Sequence, residues 1–241
     1  MIECRVIVAL SIAVLLTSCG YRSEEFRYRM TVEVDTPQGL RTGSSVIEVK
    51  VSDPGPNSLP EAGVNTKVRG EAIAVDLPGG KTLFALLSST DSADGAAGYA
   101  YEALKPTQYR GDYAVIQKTK ELKRMRGVGA LRCPKTWYDR GGRRVGRKED
   151  IRTDCPILVS FRDLRDPRSV ELVDPANLAA TFGERVSLHR ITVQITDEPV
   201  TSGIQQRLGW LGNFGQSNYS SADFPSGIPL GDFSGMFSSG A

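Results

Sequence analysis

From Phe26 to Asp35 the side chains alternate, with Tyr28, Met30, Val32 and Val34 on one face and Arg29, Thr31, Glu33 and Asp35 on the other. A period of two predicts a half-buried strand. The alternation returns from Val46 to Ser52, and Thr36-Pro37-Gln38-Gly39 between them is turn chemistry, Pro fixing a negative φ and Gly free to take a positive one. An antiparallel pair over Phe26 to Ser52 follows. Asp53 to Gly63 holds three prolines and two glycines and reads as a surface loop. A second strand pair is expected at Lys67 to Asp76 and Lys81 to Ser88, joined through Leu77-Pro78-Gly79-Gly80.

The centre is less regular. Asp91 to Gly98 reads as a turn region, Tyr99 to Leu104 as a short helix, and Tyr113 to Met125 as a helix with Ile116, Thr119, Leu122 and Met125 near one face. Arg126 to Thr153 reads as a loop. Ile157 to Arg162 and Ser169 to Val173 read as strands. Asp174-Pro175 predicts an N-cap and first position for a helix running to Phe182, which Gly183 stops. Val186 to Thr196 alternates again with a phase slip at His189 and Arg190, the mark of a bulge. A last short helix is expected over Gly203 to Leu211.

These elements predict a mainly β, α+β fold: antiparallel strand pairs, β-sandwich-like, with a few short helices. The expected organisation is a removed leader over residues 1–18, a tether over 19–25, one β-rich domain over 26–211 and a tail over 212–241. Thirteen of the thirty tail residues are Gly or Ser, and no Lys or Arg follows Arg207. Such a composition predicts a disordered tail. Phe214, Tyr219, Phe224, Phe233 and Phe237 along it supply the opposite expectation, a segment that folds onto this domain or a partner.

The first twenty residues carry Arg5, then an apolar run from Val6 to Leu16, then small residues and Cys19. This is the pattern of an export signal. The run is shorter than the roughly 17–25 residues a spanning helix needs. Its end, Leu16-Thr17-Ser18-Cys19, resembles the lipobox of bacterial lipoproteins. The resemblance covers the signal region alone, and it implies that the Cys19 thiol receives a diacylglycerol and that the mature chain begins there. Gly20 in place of Asp after the cysteine implies an outer-membrane rather than inner-membrane address, facing the periplasm.

Removing Cys4 with the signal and assigning Cys19 to lipid leaves Cys133 and Cys155, an even pair in an oxidising compartment. One disulfide is expected between them. It closes the most basic stretch of the chain. Formal net charge is only +2 overall, which excludes a general polyanion binder, yet Lys118 to Arg152 holds thirteen basic residues against four acids, a local net of +9. Arg132, Lys135, Arg140, Arg143, Arg144, Arg147 and Lys148 are the candidate anion-binding residues, with Trp137 and Tyr138 interleaved. The competing reading is a solvated loop whose arginines pair with acids elsewhere.

Catalytic constellations are sparse. No G-x-S-x-G elbow or phosphate loop occurs, and any Ser-His-Asp system must use His189, the one histidine. Asp163, Asp166 and Asp174 lie close in sequence, but they alternate with Arg162, Arg165 and Arg168, which suggests ion pairs or turn caps. Asp91 and Asp94 sit in a turn without the remaining ligands of a calcium loop. No metal, no cofactor and no catalytic residue is therefore expected. The expected function is a lipid-anchored envelope protein with a binding or structural role. Its expected partners are the membrane, through the lipid, and anionic envelope polymers or an envelope protein, through the basic loop; nucleic acid is not expected. The alternative is a periplasmic enzyme with a carboxylate-based site.

Overall fold

A computed structural model describes residues 21–56, 63–89, 95–133, 155–225 and 232–240. The first hairpin forms as its alternation predicts. β1 (Arg22–Thr36) and β2 (Gly39–Asp53) pair antiparallel from Arg22↔Asp53 to Thr36↔Gly39, with Pro37-Gln38 as the turn. β1 begins at Arg22, so residues 22–25 of the expected tether are strand.

Two antiparallel sheets result. The first has the order β10-β3-β2-β1-β9-β6 and the second β4-β5-β7-β8, where β3 is Asn65–Glu71, β4 Ile73–Leu77, β5 Lys81–Ser89, β6 Val128–Leu131, β7 Pro156–Phe161, β8 Val170–Leu172, β9 Ser187–Ile195 and β10 Ser238–Ser239. The expected single strand over 67–76 is corrected. It breaks at Ala72, so that β3 completes the first sheet against β2 while β4 starts the second against β5. The break follows Gly70, whose φ is +151° and whose missing Cβ lets Ile47 approach. A side chain there would sit 3.1 Å from Ile47 Cγ1.

Tyr28, Met30, Val32 and Val34 of β1 and Ile47, Val49 and Val51 of β2 form the inner face of the first sheet. Ile73, Val75, Leu83, Ala85 and Leu158 of the second sheet belong to the same buried cluster. Helices α1 (Gly95–Leu104) and α2 (Ala114–Leu122) complete it, through Ala96, Tyr99 and Ala100 on one and Ile116 and Leu122 on the other. The Tyr28 hydroxyl, fully buried, donates to the Ala96 carbonyl at 2.6 Å, and burial holds its pKa well above the ordinary value. α1 starts four residues earlier than its predicted start at Tyr99. β6, inside the expected Arg126 to Thr153 loop, pairs with β9 at the sheet edge.

The bulge in β9 falls where the phase slip predicts. Glu33 pairs with Arg190 and Val34 with Leu188, leaving His189 as the extra residue. The expected helix from Asp174 is corrected: Asp174 instead holds a turn, accepting from the Ala176 amide at 2.8 Å, and α3 is only Ala179–Phe182, ended by Gly183 at φ +103°. The last expected helix is also shorter, with α4 covering Ile204–Arg207.

Tail disorder is corrected most firmly. The outer face of the second sheet presents Phe84, Leu86, Ile157, Val159, Phe161 and Val170, and Leu211, Phe214, Phe224, Phe233, Met236 and Phe237 bury themselves on it. Phe233 and Phe237 have no exposed surface. Backbone bonds from Ala72 N to Phe237 O and from Leu87 N to Met236 O, at 2.8 and 2.9 Å, fix the tail's end. The described tail is thus a third layer. An aromatic cluster centred on Phe233 gives it the apolar area that its Gly and Ser content lacks, which offsets the ordering entropy.

Candidate functional site

The basic stretch is rooted where the two sheets meet. β6 ends at Leu131, Arg132 follows on the surface, and Cys133 turns toward Cys155, which immediately precedes β7 and is wholly buried in the main core. Their sulfurs lie 1.96 Å apart and their Cα atoms 5.1 Å apart, the expected disulfide. The bond ties an edge strand of the first sheet to an interior strand of the second. Lys135, Arg140, Arg143, Arg144, Arg147 and Lys148 lie outside the described residues, as do Cys19, the rest of the lipobox, Asp91 and Asp94.

Of the thirteen cations, the six from Lys118 to Arg132 are described, and several have assigned work. Lys120 and Lys123 both approach Glu24, at 3.7 and 2.9 Å. Lys118 lies 5.1 Å from the Tyr101 ring centroid, and Arg126 donates to the carbonyls of Lys123 and Met125 at the end of α2. The pairing reading therefore holds for Lys120 and Lys123. Arg132 is exposed at the mouth of the disulfide.

Along the first sheet, the root of the loop and the start of β1 are well separated. Leu131 pairs with Ile191 and Ile191 with Val32, ten residues along β1 from Arg22, or about 33 Å of strand.

The Asp and Arg residues between β7 and β8 resolve into turns. The Asp163 carboxylate accepts from the Arg165 amide at 2.9 Å and its side chain at 3.2 Å, and Asp166 does the same with Arg168. These hydrogen bonds from Arg165 and Arg168 hold both carboxyls below their ordinary pKa. A general acid needs the opposite shift. Arg162 pairs with Glu171 at 2.9 Å.

His189, on the bulge, is half exposed, with Nδ1 3.1 Å from Asp35. It belongs to a charged face that the strand register assembles. Glu48 stands between its cross-strand partners Arg27 and Arg69 at 2.7 and 3.0 Å, Arg190 meets its partner Glu33 at 2.8 Å, and Arg29 pairs with Glu198. The sequence marked the polar face of β1 but not its partners, because register is a long-range property. Among the described residues no group of three His, Cys, Asp or Glu side chains could hold a metal.

One concavity of about 390 Å³ lies where β3, β10 and the segment before α4 converge. Arg69, Thr201, Gln205, Gln206 and Ser239 line it. At its base the buried carboxylate of Glu71 accepts the Ile204 amide at 2.8 Å. This corner had no sequence signal, since its lining comes from three distant segments.

No family model, no curated protein and no solved structure matches this chain. The functional reading therefore rests on its own residues.

Proposed function

We propose that this chain is a lipid-anchored protein of the bacterial cell envelope, held at the outer membrane through Cys19, and that it binds anionic envelope components through its disulfide-closed basic loop. Export, lipid attachment and the disulfide agree with one another: the same oxidising compartment that the signal addresses permits the Cys133 to Cys155 bond. The observation that carries the binding role is the disulfide that closes residues 134–154, which hold seven basic side chains against four acids, at the end of the wider +9 stretch from Lys118 to Arg152. Closing that loop restricts its conformations before any ligand arrives, which reduces the entropy lost on binding. Two or three acyl chains, at about 0.8 kcal/mol per buried CH₂, hold a protein at a membrane where one chain does not. Local concentration at the envelope then supports a contact that salt, with a screening length of about 8 Å, weakens in solution.

Two measurements test this. Intact mass of the protein purified from membranes should show an N-terminus at Cys19 carrying acyl groups, and the Cys19→Ser form should lack them. An unmodified soluble product from the natural sequence refutes the anchor. Replacing Arg143, Arg144 and Arg147 by Ser should weaken sedimentation with anionic envelope fractions in low salt. Unchanged sedimentation removes the loop as the contact.

A further inference from the structure

We propose that the end of the first sheet where β1 begins lies directly on an anionic bilayer surface, as a second contact beside the lipid. This rests on the lipid-anchor reading above. The argument starts from chain length. β1 begins at Arg22, which is paired with Asp53 of β2, so Cys19 to Tyr21 is all the chain between the lipid site and the first sheet. At about 3.3–3.6 Å per residue these three residues reach about 10 Å. The polar layer of one leaflet is itself roughly 5–8 Å thick. A domain on so short a lead has its first strand at the headgroups; it has no slack to stand away from them.

The surface at that end suits such a place. Tyr21 is 60% exposed and Val64, one residue before β3, is 53% exposed. The register puts them at the same end of the sheet, on either side of β2, since Asn65 and Ser23 are both level with Ser52. Tyrosine is enriched at membrane interfaces, with its ring among the acyl ends and its hydroxyl in water. The charge is also of the right sign. Lys118, Lys120, Lys123, Arg124 and Arg126 stand there against Glu24, Glu25, Glu121 and Asp197, so positive charge exceeds negative by a small margin. Basic residues beside a membrane attachment favour anionic lipid.

The opposite end of the same hairpin supplies an internal control. Leu40, beside the turn, is 51% exposed, nearly the value of Val64, yet it is level with Asp35, almost the full length of β1 away, about 43 Å. The test places a photo-crosslinking amino acid at Val64 or at Leu40 of the lipidated full chain, in vesicles of phosphatidylglycerol and phosphatidylcholine. The expected result is several-fold more lipid adduct from Val64 than from Leu40, reduced when Arg124→Ser and Arg126→Ser are combined. Equal adducts from both positions on a protein whose mass shows acylated Cys19 overturn the docking and leave the anchor standing. A mass without acyl groups overturns both. Adducts at Val64 that do not change with the Arg replacements overturn the electrostatic part of the contact.

Discussion

Trp210 and Phe233 stack with ring centroids 5.6 Å apart and planes 9° from parallel. Phe233 comes from the last ten residues of the chain and Trp210 from the turn after α4, so the pair closes the C-terminal layer on itself above Phe161 and Phe237. Trp210 also donates through Nε1 to the Leu164 carbonyl at 3.0 Å. This contact makes the tail a structural element.

Phe233→Ala should therefore behave as a core truncation. We expect a loss of about 3–5 kcal/mol in urea unfolding, with loss of near-ultraviolet dichroism from the aromatic cluster. A change within about 0.5 kcal/mol, the range of ordinary surface substitutions, contradicts the third layer.

The disulfide supports the junction of the two sheets. For a separation of 22 residues, the chain-entropy model gives roughly 3 kcal/mol. The double replacement Cys133→Ser and Cys155→Ala should lower the unfolding midpoint accordingly, and a reducing agent should destabilise the natural chain but not the double variant.

Gly43 of β2 marks a close approach of the two sheets, since a Cβ there would stand 2.1 Å from the Ala74 carbonyl oxygen of β4. Backbone cannot swing aside as a flexible side chain can. Gly43→Ala should cost roughly 1–3 kcal/mol through this overpacking, whereas Gly63→Ala, with nothing within 4 Å among the described residues, should stay within about 0.5 kcal/mol. Thermal unfolding of the two variants compares them directly.

Arg207 of α4 holds Asp76 of β4 through two bonds of 2.6 and 2.8 Å. Those hydrogen bonds, with the Arg207 charge and a bond from Thr82, lower the Asp76 pKa despite partial desolvation. A carboxyl depressed in the folded state stabilises above its unfolded pKa, about 3.9, and that contribution disappears as pH falls through the lower folded value. The Asp76 side chain is 64% exposed, so screening limits the effect to about 0.5 kcal/mol. Arg207→Gln should flatten the acid side of the stability curve below about pH 4 and leave little difference between low and neutral pH from this pair. An unchanged acid slope removes the pair from the account.

Local and periodic signals in the sequence determined the first hairpin, the face that β1 buries, the bulge at His189 and the stop at Gly183. Each depends on a few adjacent residues or on a period of two. Cysteine arithmetic likewise selected Cys133 and Cys155. The basic stretch was legible as composition, and the Asp163 and Asp166 turn caps as alternation with arginine. Tertiary structure decided the rest. Nothing within residues 67–76 says that β3 and β4 belong to different sheets, because that break depends on Ile47 filling the space beside Gly70. The runs from Thr82 to Leu87 and from Pro156 to Phe161 read as strands, and the structure buries them on both faces. They could not say that the cover was a Gly- and Ser-rich tail, because its aromatics are stabilised by one another and by the outer face of the second sheet, contacts that form only when the chain has folded.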